Sequence, residues 1–209
     1  MKLVIMGPIG VGKGTQAKLL CEKLGIVHIS TGDIMRGHIA EQTPVGVKIK
    51  AILDSGGYVD DALTTELLQT RLAEPDIASG FILDGYPRTV VQAETLETLT
   101  DIKKVVFLTA DKDIIIKRLS GRRVCSGCGE MYHIENKQPA QVGICDKCGG
   151  ELVQRPDDSE EVIAKRLQVF EEQTLPLKDF YQSRNLLVEI DGTGAVSDVT
   201  NDILASLQG

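Results

Sequence analysis

The sequence predicts an α/β fold in which a parallel sheet is flanked by helices. Three observations favour it. Short apolar runs alternate with helical patterns, a glycine-rich turn follows the first apolar run, and the sequence contains no internal repeat. With 209 residues the chain is long enough to bury a substantial core. We therefore expect one α/β core with small inserted segments.

Four short apolar runs are typical of buried parallel strands, because they are rich in Val, Ile, Leu and Phe. The strands are predicted at residues 3–6, 81–83, 105–108 and 186–190. Helices are predicted at residues 13–24, 113–119, 160–181 and 197–207. The alternation of the two patterns predicts helices on both faces of the sheet.

Two segments depart from this alternation. Residues 30–59 carry helical patterns and several glycines but no convincing strand. Residues 121–158 hold four of the five cysteines. We expect both segments to be insertions, hinged at their ends, in a core formed by residues 1–29, 60–120 and 159–209.

The composition is that of a globular protein, with 42% hydrophobic and 25% charged residues. The net charge of −7 argues against a general nucleic-acid-binding protein, so an anionic ligand must be held by local positive charge. No stretch approaches the roughly 18 apolar residues of a membrane span. Glycines and Lys13 also interrupt the apolar start before a signal sequence can form. These features predict a cytoplasmic protein without a membrane partner.

The stretch GPIGVGKGT, residues 7–15, predicts a phosphate-binding loop. Gly7, Gly12 and Lys13 have the required spacing, and glycines let successive backbone N–H groups turn toward an anion at the start of a helix. Lys13 can reach the β- and γ-phosphates of a nucleotide, and the Thr15 hydroxyl can contact phosphate or Mg²⁺. A glycine-rich turn without a ligand is the alternative, which the preceding strand and the following helix disfavour.

Asp84 directly follows the predicted strand 81–83. The carboxyl end of a parallel strand is where such sheets bind ligands, and a P-loop enzyme needs an acidic group near Mg²⁺ there. The alternative is an ordinary turn aspartate before Gly85. No acidic partner is evident in the sequence for the three histidines, His28, His38 and His133.

Arginines recur outside the P-loop, and several of the seven singled out here interrupt otherwise apolar surfaces. They are Arg36, Arg88, Arg118, Arg122, Arg123, Arg155 and Arg166. Arg166 lies four residues from both Val162 and Phe170, on the expected inward face of a helix. Arg118 and Arg122 are four residues apart, and like charges at that helical spacing repel unless an anion lies between them. The set suggests a site for a polyphosphate.

The cysteines form two CxxC pairs. Cys125 and Cys128 are separated by sixteen residues from Cys145 and Cys148. This spacing is typical of a structural zinc site with four thiolate ligands. Two disulfides are the alternative, which a reducing cytoplasm disfavours. Cys21, on the first predicted helix, is expected to be a small buried apolar residue.

Together these motifs resemble the adenylate kinase family, in its long bacterial type with a zinc-bearing lid, over essentially the full chain. The matching stretches are GPIGVGKGT, STGDIMR (30–36), DGYPRT (84–89) with Gln92, GRRVC (121–125), QRPDD (154–158) and IDGTG (190–194). The family usually has proline where Ile9 stands, and here Pro8 precedes it. The resemblance implies the P-loop nucleoside monophosphate kinase fold, a monomer, and two mobile insertions, with 30–59 binding the monophosphate and 121–158 acting as the lid.

The resemblance also implies roles for individual residues. ATP would be bound by Gly10, Val11, Gly12, Lys13, Gly14, Thr15, Arg118, Arg122, Met131, Tyr132 and Gly194. AMP would be bound by Thr31, Arg36, Gly57, Tyr58, Val59, Gly85, Tyr86, Pro87, Arg88, Gln92, Arg155 and Arg166. The catalytic group would comprise Lys13, Asp84, Arg88, Arg122, Arg155 and Arg166.

The expected reaction is reversible phosphoryl transfer from MgATP to AMP, which yields two ADP. Because the acceptor phosphate is already anionic, positioning and charge stabilisation suffice without a general base. Two alternatives stay open at this point. One is a kinase for UMP or CMP, and the other is a zinc-ribbon binding module that uses its P-loop as a nucleotide switch.

Overall fold

The computed structural model describes residues 1–208, so Gly209, the end of the expected core segment 159–209, lies outside the described residues. The strands described are β1 (Lys2–Met6), β2 (Val27–Ser30), β3 (Phe81–Asp84), β4 (Lys104–Thr109), β5 (Arg122–Cys125), β6 (Met131–His133), β7 (Leu152–Val153) and β8 (Leu187–Asp191). The α-helices are α1 (Lys13–Leu24), α2 (Thr31–Ala40), α3 (Pro44–Asp54), α4 (Asp61–Leu72), α5 (Val90–Leu99), α6 (Lys112–Ser120), α7 (Glu160–Val169), α8 (Leu177–Gln182) and α9 (Val196–Ser206). None of the helices within 1–208 is long and apolar enough to cross a membrane.

Five parallel strands form the central sheet in the order β2-β3-β1-β4-β8. Successive side chains of a strand point to opposite faces, and the strands accordingly divide their residues between two apolar clusters. In β1, Val4 and Met6 pack with residues of α4, α5 and α8, whereas Leu3 and Ile5 pack with residues of α1 and α9. The predicted α/β fold, a parallel sheet with helices on both faces, is confirmed.

The strand order places a binding crevice at the centre of the sheet. The chain leaves β1 toward the β2 edge and leaves β4 toward the opposite, β8 edge, although β1 and β4 are paired neighbours. Ligands of open α/β sheets bind outside the carboxyl ends of the strands at such a reversal. The glycine-rich turn after β1 lies there.

Several elements differ from the sequence prediction, which contains no helix for α4 and α5 and no strand for β5, β6 and β7. The edge strand β2 was not predicted, because its four residues, VHIS, include two polar ones and form no apolar run. The predicted helix 160–181 is divided: α7 ends at Val169, a π-helical turn spans Phe170–Thr174, and α8 begins at Leu177. Pro176 has no N–H and therefore cannot donate a helical hydrogen bond. Just before it, Leu175 donates its N–H to the Phe170 carbonyl at 2.9 Å, five residues back, which is the hydrogen bond of a π-helical turn.

Each of the two irregular segments has its own small apolar cluster. Helices α2 and α3 pack on each other around Met35 and Ile49, which are both buried together with Val59. Strands β5, β6 and β7 form an antiparallel sheet in the order β6-β5-β7. Tyr132 and Leu152 pack beside two of the cysteines on this sheet.

Candidate active site

A large cavity, of about 950 Å³, lies outside the carboxyl ends of the central strands. The glycine-rich turn forms its floor, α2 and α3 contribute to one side, and β6 with the segment around Arg155 contributes to the other. The cavity is also lined by residues from the C-terminal parts of α6 and α7 and from the loop after β8. Most of the residues singled out by the sequence therefore meet in one space.

The turn 7–15 has the geometry of an anion cradle. Gly7 and Gly10 have positive φ values of 134° and 72°, and a Cβ at Gly7 would lie 2.3 Å from the Leu108 carbonyl oxygen. Gly12, also at positive φ, is the N-cap residue directly before α1, and no side chain caps this helix. The first turn of α1 contains no acidic residue, so its free N–H groups and positive dipole end favour an anion.

Lys13 folds back over this turn. Its Nζ donates hydrogen bonds to the carbonyl oxygens of Gly7 at 2.8 Å and Pro8 at 2.7 Å. Burial lowers the pKa of Lys13 to about 8, and the nearby guanidinium of Arg88 adds to this effect while Asp84 opposes it. The ammonium group is thus held in a cationic, poorly hydrated place that an anionic ligand would neutralise.

Asp84 ends β3 beside the turn, paired in register with Ile5 of β1. A Cβ at Gly14 would lie 3.5 Å from Asp84 Oδ2, which places the carboxylate next to the start of α1. The expectation that His28 has no acidic partner is wrong: its Nε2 lies 3.4 Å from Asp84 Oδ2. His28 on β2 is paired with Ile82 on β3, two positions before Asp84. Because strand β2 was not predicted, the sequence did not indicate that the two side chains are close.

The side of the cavity opposite the turn is also cationic. Arg88 donates from Nε to the Gly85 carbonyl at 2.8 Å, and its guanidinium lies 4.8 Å from the centre of the Tyr58 ring. Arg36 pairs with Asp33 at 2.5 Å. Arg155 has a buried Nε with no hydrogen-bond partner in the described residues. Burial lowers the pKa of Arg155 to about 9, and Arg36 and other arginines add to the effect.

Two arginines between these sides are held by carboxylates. Arg122 grips Asp158 through two bonds, Nε to Oδ2 at 2.8 Å and Nη2 to Oδ1 at 2.5 Å, and the Asp158 side chain is fully buried. Arg166 contacts the Asp157 carboxylate at 2.8 Å. Both aspartates belong to the matching stretch QRPDD, but no role was predicted for them. No local motif indicates the pairing, since Arg122 lies 36 positions before Asp158.

Arg118 does not pair with Arg122 on one helix face, and that expectation is wrong. Helix α6 ends at Ser120, and Arg122 lies on β5. Arg118 instead donates to three backbone carbonyls, those of Val11 at 3.0 Å, Gly192 at 2.8 Å and Thr193 at 3.2 Å. These hydrogen bonds of the Arg118 guanidinium link the glycine-rich turn to the loop after β8.

The expected ligand-binding residues divide into those that line the cavity and those that lie behind its wall. Of the residues expected to bind ATP, the lining includes Gly10, Val11, Gly12, Lys13, Gly14, Thr15, Arg118, Arg122, Met131, Tyr132 and Gly194. Of those expected to bind AMP, it includes Arg36, Gly57, Tyr58, Gly85, Pro87, Arg88, Arg155 and Arg166. The side chains behind the wall are the buried Thr31, Val59, Tyr86 and Gln92.

Thr174 is a lining residue that sequence reasoning missed. Its hydroxyl donates to the Arg88 carbonyl at 2.9 Å and lies 2.9 Å from the Tyr58 hydroxyl. It belongs to the π-helical turn, so its direction depends on a local departure from the helical period. A 3.6-residue pattern could not have indicated it.

The four cysteines come together as a group. Their Sγ atoms lie within 4.8 Å of one another, with Cys125 and Cys148 at 3.4 Å and Cys128 and Cys145 at 3.6 Å. None of them forms a disulfide, so the disulfide alternative is wrong. Tetrahedral zinc with bonds of about 2.3 Å would hold its sulfurs about 3.8 Å apart, which fits this cluster. A Cβ at Gly150 would lie 2.9 Å from Cys125 Sγ, so the backbone closes around the sulfurs.

A phosphate-binding turn at the sheet reversal, facing a second set of arginines across the same cavity, defines a P-loop phosphotransferase of the nucleoside monophosphate kinase class. Comparison with known proteins gives the family. The family model for adenylate kinase matches residues 5–186. The chain belongs to the adenylate kinase family, and it is a phosphotransferase of that family's fold.

Curated relatives match the chain from end to end. It is 50% identical to the adenylate kinase of Syntrophotalea carbinolica, over 99% of this chain and 98% of that protein. It is 49% identical to the adenylate kinase of Citrifermentans bemidjiense and 46% identical to that of Carboxydothermus hydrogenoformans, in each case over 100% of both chains.

Proposed function

We propose that this protein catalyses the reversible transfer of a phosphoryl group from MgATP to AMP, yielding two ADP. The observation that carries the proposal is the presence of two cationic sets in one cavity. Lys13 and the N-terminus of α1 form the first set, and Arg36 and Arg88 form the second. A nucleotide switch would need only the first.

The P-loop set would hold the ATP phosphates. Lys13 would exchange its two carbonyl partners, Gly7 and Pro8, for β- and γ-phosphate oxygens, which are stronger acceptors because they are charged. It would then lie against the negative charge of the transferring group. Charge placed there before the reaction lowers the barrier without requiring a proton transfer.

The acceptor set would hold the AMP phosphate. Arg88 and Arg36 are already anchored, by the Gly85 carbonyl and by Asp33, so less side-chain freedom is lost when phosphate binds. The unpartnered Nε of Arg155 is a further donor for a phosphate oxygen. The bases are expected to lie at opposite ends of the cavity, with AMP beside Gly57, Tyr58 and Gly85.

Arg122 and Arg166 would contact the transferring phosphoryl group. Both are now paired with aspartates, and Arg166 also lies 3.5 Å from Asp158. The aspartate carboxylates hold the two guanidinium groups at the cavity. There a phosphate group can bind the guanidinium groups in place of the carboxylates or together with them. We propose that Asp157 and Asp158 keep these arginines in place between turnovers.

Magnesium would enter with ATP. The donors present are oxygens, the Asp84 carboxylate and the Thr15 hydroxyl, and oxygen is the ligand type that Mg²⁺ prefers. Bound Mg²⁺ neutralises charge on the β- and γ-phosphates. Asp84 would serve to orient it.

Zinc is the proposed occupant of the four-cysteine cluster. Four thiolates complete its coordination, so it would have a structural role without an open position for substrate. We further propose that 121–158 acts as the lid and 30–59 as the monophosphate-binding insertion, both closing on the core 1–29, 60–120 and 159–209. Closure would exclude water, the competing acceptor. The expectation of a cytoplasmic monomer rests on the resemblance and stays a prediction.

A coupled assay that measures ADP formation tests the proposal. ATP is supplied with AMP, UMP, CMP or GMP in parallel, and ATP alone serves as the control. Rapid ADP formation with AMP and little without it is the expected result. A preference for UMP or CMP would favour the pyrimidine alternative. Equal, slow ATP consumption in every tube would favour the nucleotide-switch alternative.

A further inference from the structure

Gln92 is a buried side chain whose amide is held at both ends. Its Oε1 accepts a hydrogen bond from the backbone N–H of Arg88 at 2.8 Å, and its Nε2 donates to Oδ1 of Asp61 at 2.7 Å. The Thr89 hydroxyl donates to the other oxygen of Asp61, Oδ2, at 2.9 Å. Thr89 therefore fixes the carboxylate of Asp61, at the start of α4, and this carboxylate in turn fixes the amide of Gln92.

These partners allow only one polarity for the Gln92 amide. An ionised carboxylate can only accept hydrogen bonds, and a backbone N–H can only donate them. Turning the amide over would place its oxygen against Asp61 and its NH₂ group against the Arg88 N–H, so both bonds would be lost. Because an amide offers two N–H groups and two lone pairs, the observed polarity leaves one of each for a ligand.

We infer that Asp61 is a positioning residue that makes the acceptor site selective for a 6-aminopurine over a 6-oxopurine. The inference rests on the proposed function, in which Gln92 contacts the AMP base. Adenine presents a donor on its 6-amino group and an acceptor at N1, whereas hypoxanthine presents an acceptor at O6 and a donor at N1. The free oxygen and N–H of Gln92 match adenine, and a turned amide would match hypoxanthine.

Gln92 is 2% exposed and lies behind the cavity wall formed by Gly85, Pro87 and Arg88, so the base would reach its free oxygen and N–H only when this wall moves on binding. Asp61 acts through Gln92 and is not proposed to touch the base. A site built to pair with particular donors and acceptors rejects the base with the opposite pattern strongly, since its polar groups would then be left unpaired.

The test compares kcat/KM for AMP and for IMP, the nucleotide of hypoxanthine, in four proteins: the wild type, Asp61→Ala, Asp61→Asn and Asp60→Ala. Asp60 is the matched control, because it caps the same helix through the N–H groups of Ala62 and Leu63. In Asp61→Ala the AMP-to-IMP ratio should fall about tenfold or more, the worth of a hydrogen bond to a charged group, while the KM for ATP stays unchanged.

Asp61→Asn should lower the ratio by a smaller factor, because asparagine can face Gln92 with either its oxygen or its NH₂ group. Asp60→Ala should lower the melting temperature but keep the wild-type ratio. The inference is overturned if the ratio in both Asp61 variants equals that of Asp60→Ala. Should Asp61→Ala not fold, Asp61→Asn against Asp60→Ala decides. A wild type that transfers nothing to AMP would overturn the proposed function instead.

Discussion

At the scale of single residues, Lys13 is an ammonium group kept where its charge is costly to the free protein. Its ordinary pKa is 10.5, and burial lowers it to about 8 in the folded chain. Below about pH 8 the folded protein therefore carries the full cost of burying the charge, and this cost is relieved as the pH rises toward 10.5. A site that is unfavourable when empty of anions is suited to binding them.

Lys13→Met should reduce phosphoryl transfer by roughly 100- to 1,000-fold, because one preorganised contact to the developing charge is lost. At pH 7 the melting temperature of the variant should exceed that of the wild type, because the variant buries no charge. At pH 10 the difference should be smaller, because Lys13 of the folded wild type is then largely neutral. Lys23→Met, an exposed position on the same helix, is the control and should change neither. Near-normal turnover in the folded Lys13 variant would remove the P-loop assignment.

Arg88→Ala should raise the KM for AMP by about 10- to 100-fold, the worth of a charge-assisted bond or two, and should leave the KM for ATP close to normal. Arg88→Lys should restore only part of the loss, because an ammonium cannot make the two parallel bonds of a guanidinium. Arg184→Ala, which removes an exposed arginine paired with Glu97, is the control. Equal losses for both nucleotides would show that Arg88 is not on the acceptor side.

The candidate site was predictable residue by residue only where a local motif carried it. The turn 7–15 and Asp84 could be found because a short apolar strand precedes each. Asp158 and Thr174 could not, since their roles depend on partners distant in sequence: Arg122 is 36 positions from Asp158, and Arg88 is 86 positions from Thr174.

At the scale of elements, the segment 121–158 has little apolar surface with which to stabilise itself. Its cluster consists of Cys125, Tyr132 and Cys145, with Leu152 packed against them. The strands it joins are short, and β7 has two residues. A metal that ties four side chains together supplies folding free energy directly in such a segment.

Cys145→Ser combined with Cys148→Ser should lower the melting temperature and remove bound zinc, as measured by calorimetry and metal analysis. A chelator should lower the melting temperature of the wild type but should have little further effect on the double variant. Where the double variant is folded, transfer should persist at a substantial fraction of the wild-type rate. Complete loss of turnover in the folded, metal-free variant would assign the metal to the chemistry instead. Cys21→Ser, outside the cluster, is the matched control.

Elements whose apolar residues recur with a clear helical or strand period were predictable from the sequence. Elements that form only through contacts with other parts of the fold were not. Helix α1 was expected at residues 13–24 and is observed at Lys13–Leu24. Strand β2 carries no apolar run of its own and exists because it pairs with β3. The π-helical turn Phe170–Thr174 breaks a helical pattern that is otherwise continuous, and it directs Thr174 toward Arg88.

At the scale of the whole molecule, an acidic protein binds polyanionic substrates. The chain has 30 acidic and 23 basic residues, yet six of its nine arginines line one cavity together with Lys13. The composition only argues against general nucleic-acid binding, whereas the concentration of cationic groups in one place is produced by the fold. Substrate attraction in this protein is therefore local, and closure over the cavity would strengthen it by removing water.

The central claim is direct phosphoryl transfer between two nucleotides bound in this one cavity. Mass spectrometry tests it with ATP labelled with ¹⁸O in the γ-phosphoryl group and AMP labelled with ¹³C in the ribose, sampled early in the reaction. The account predicts that the first labelled product is ADP carrying both labels, with negligible labelled inorganic phosphate. Labelled inorganic phosphate as the main product, or label found on the protein, would contradict it.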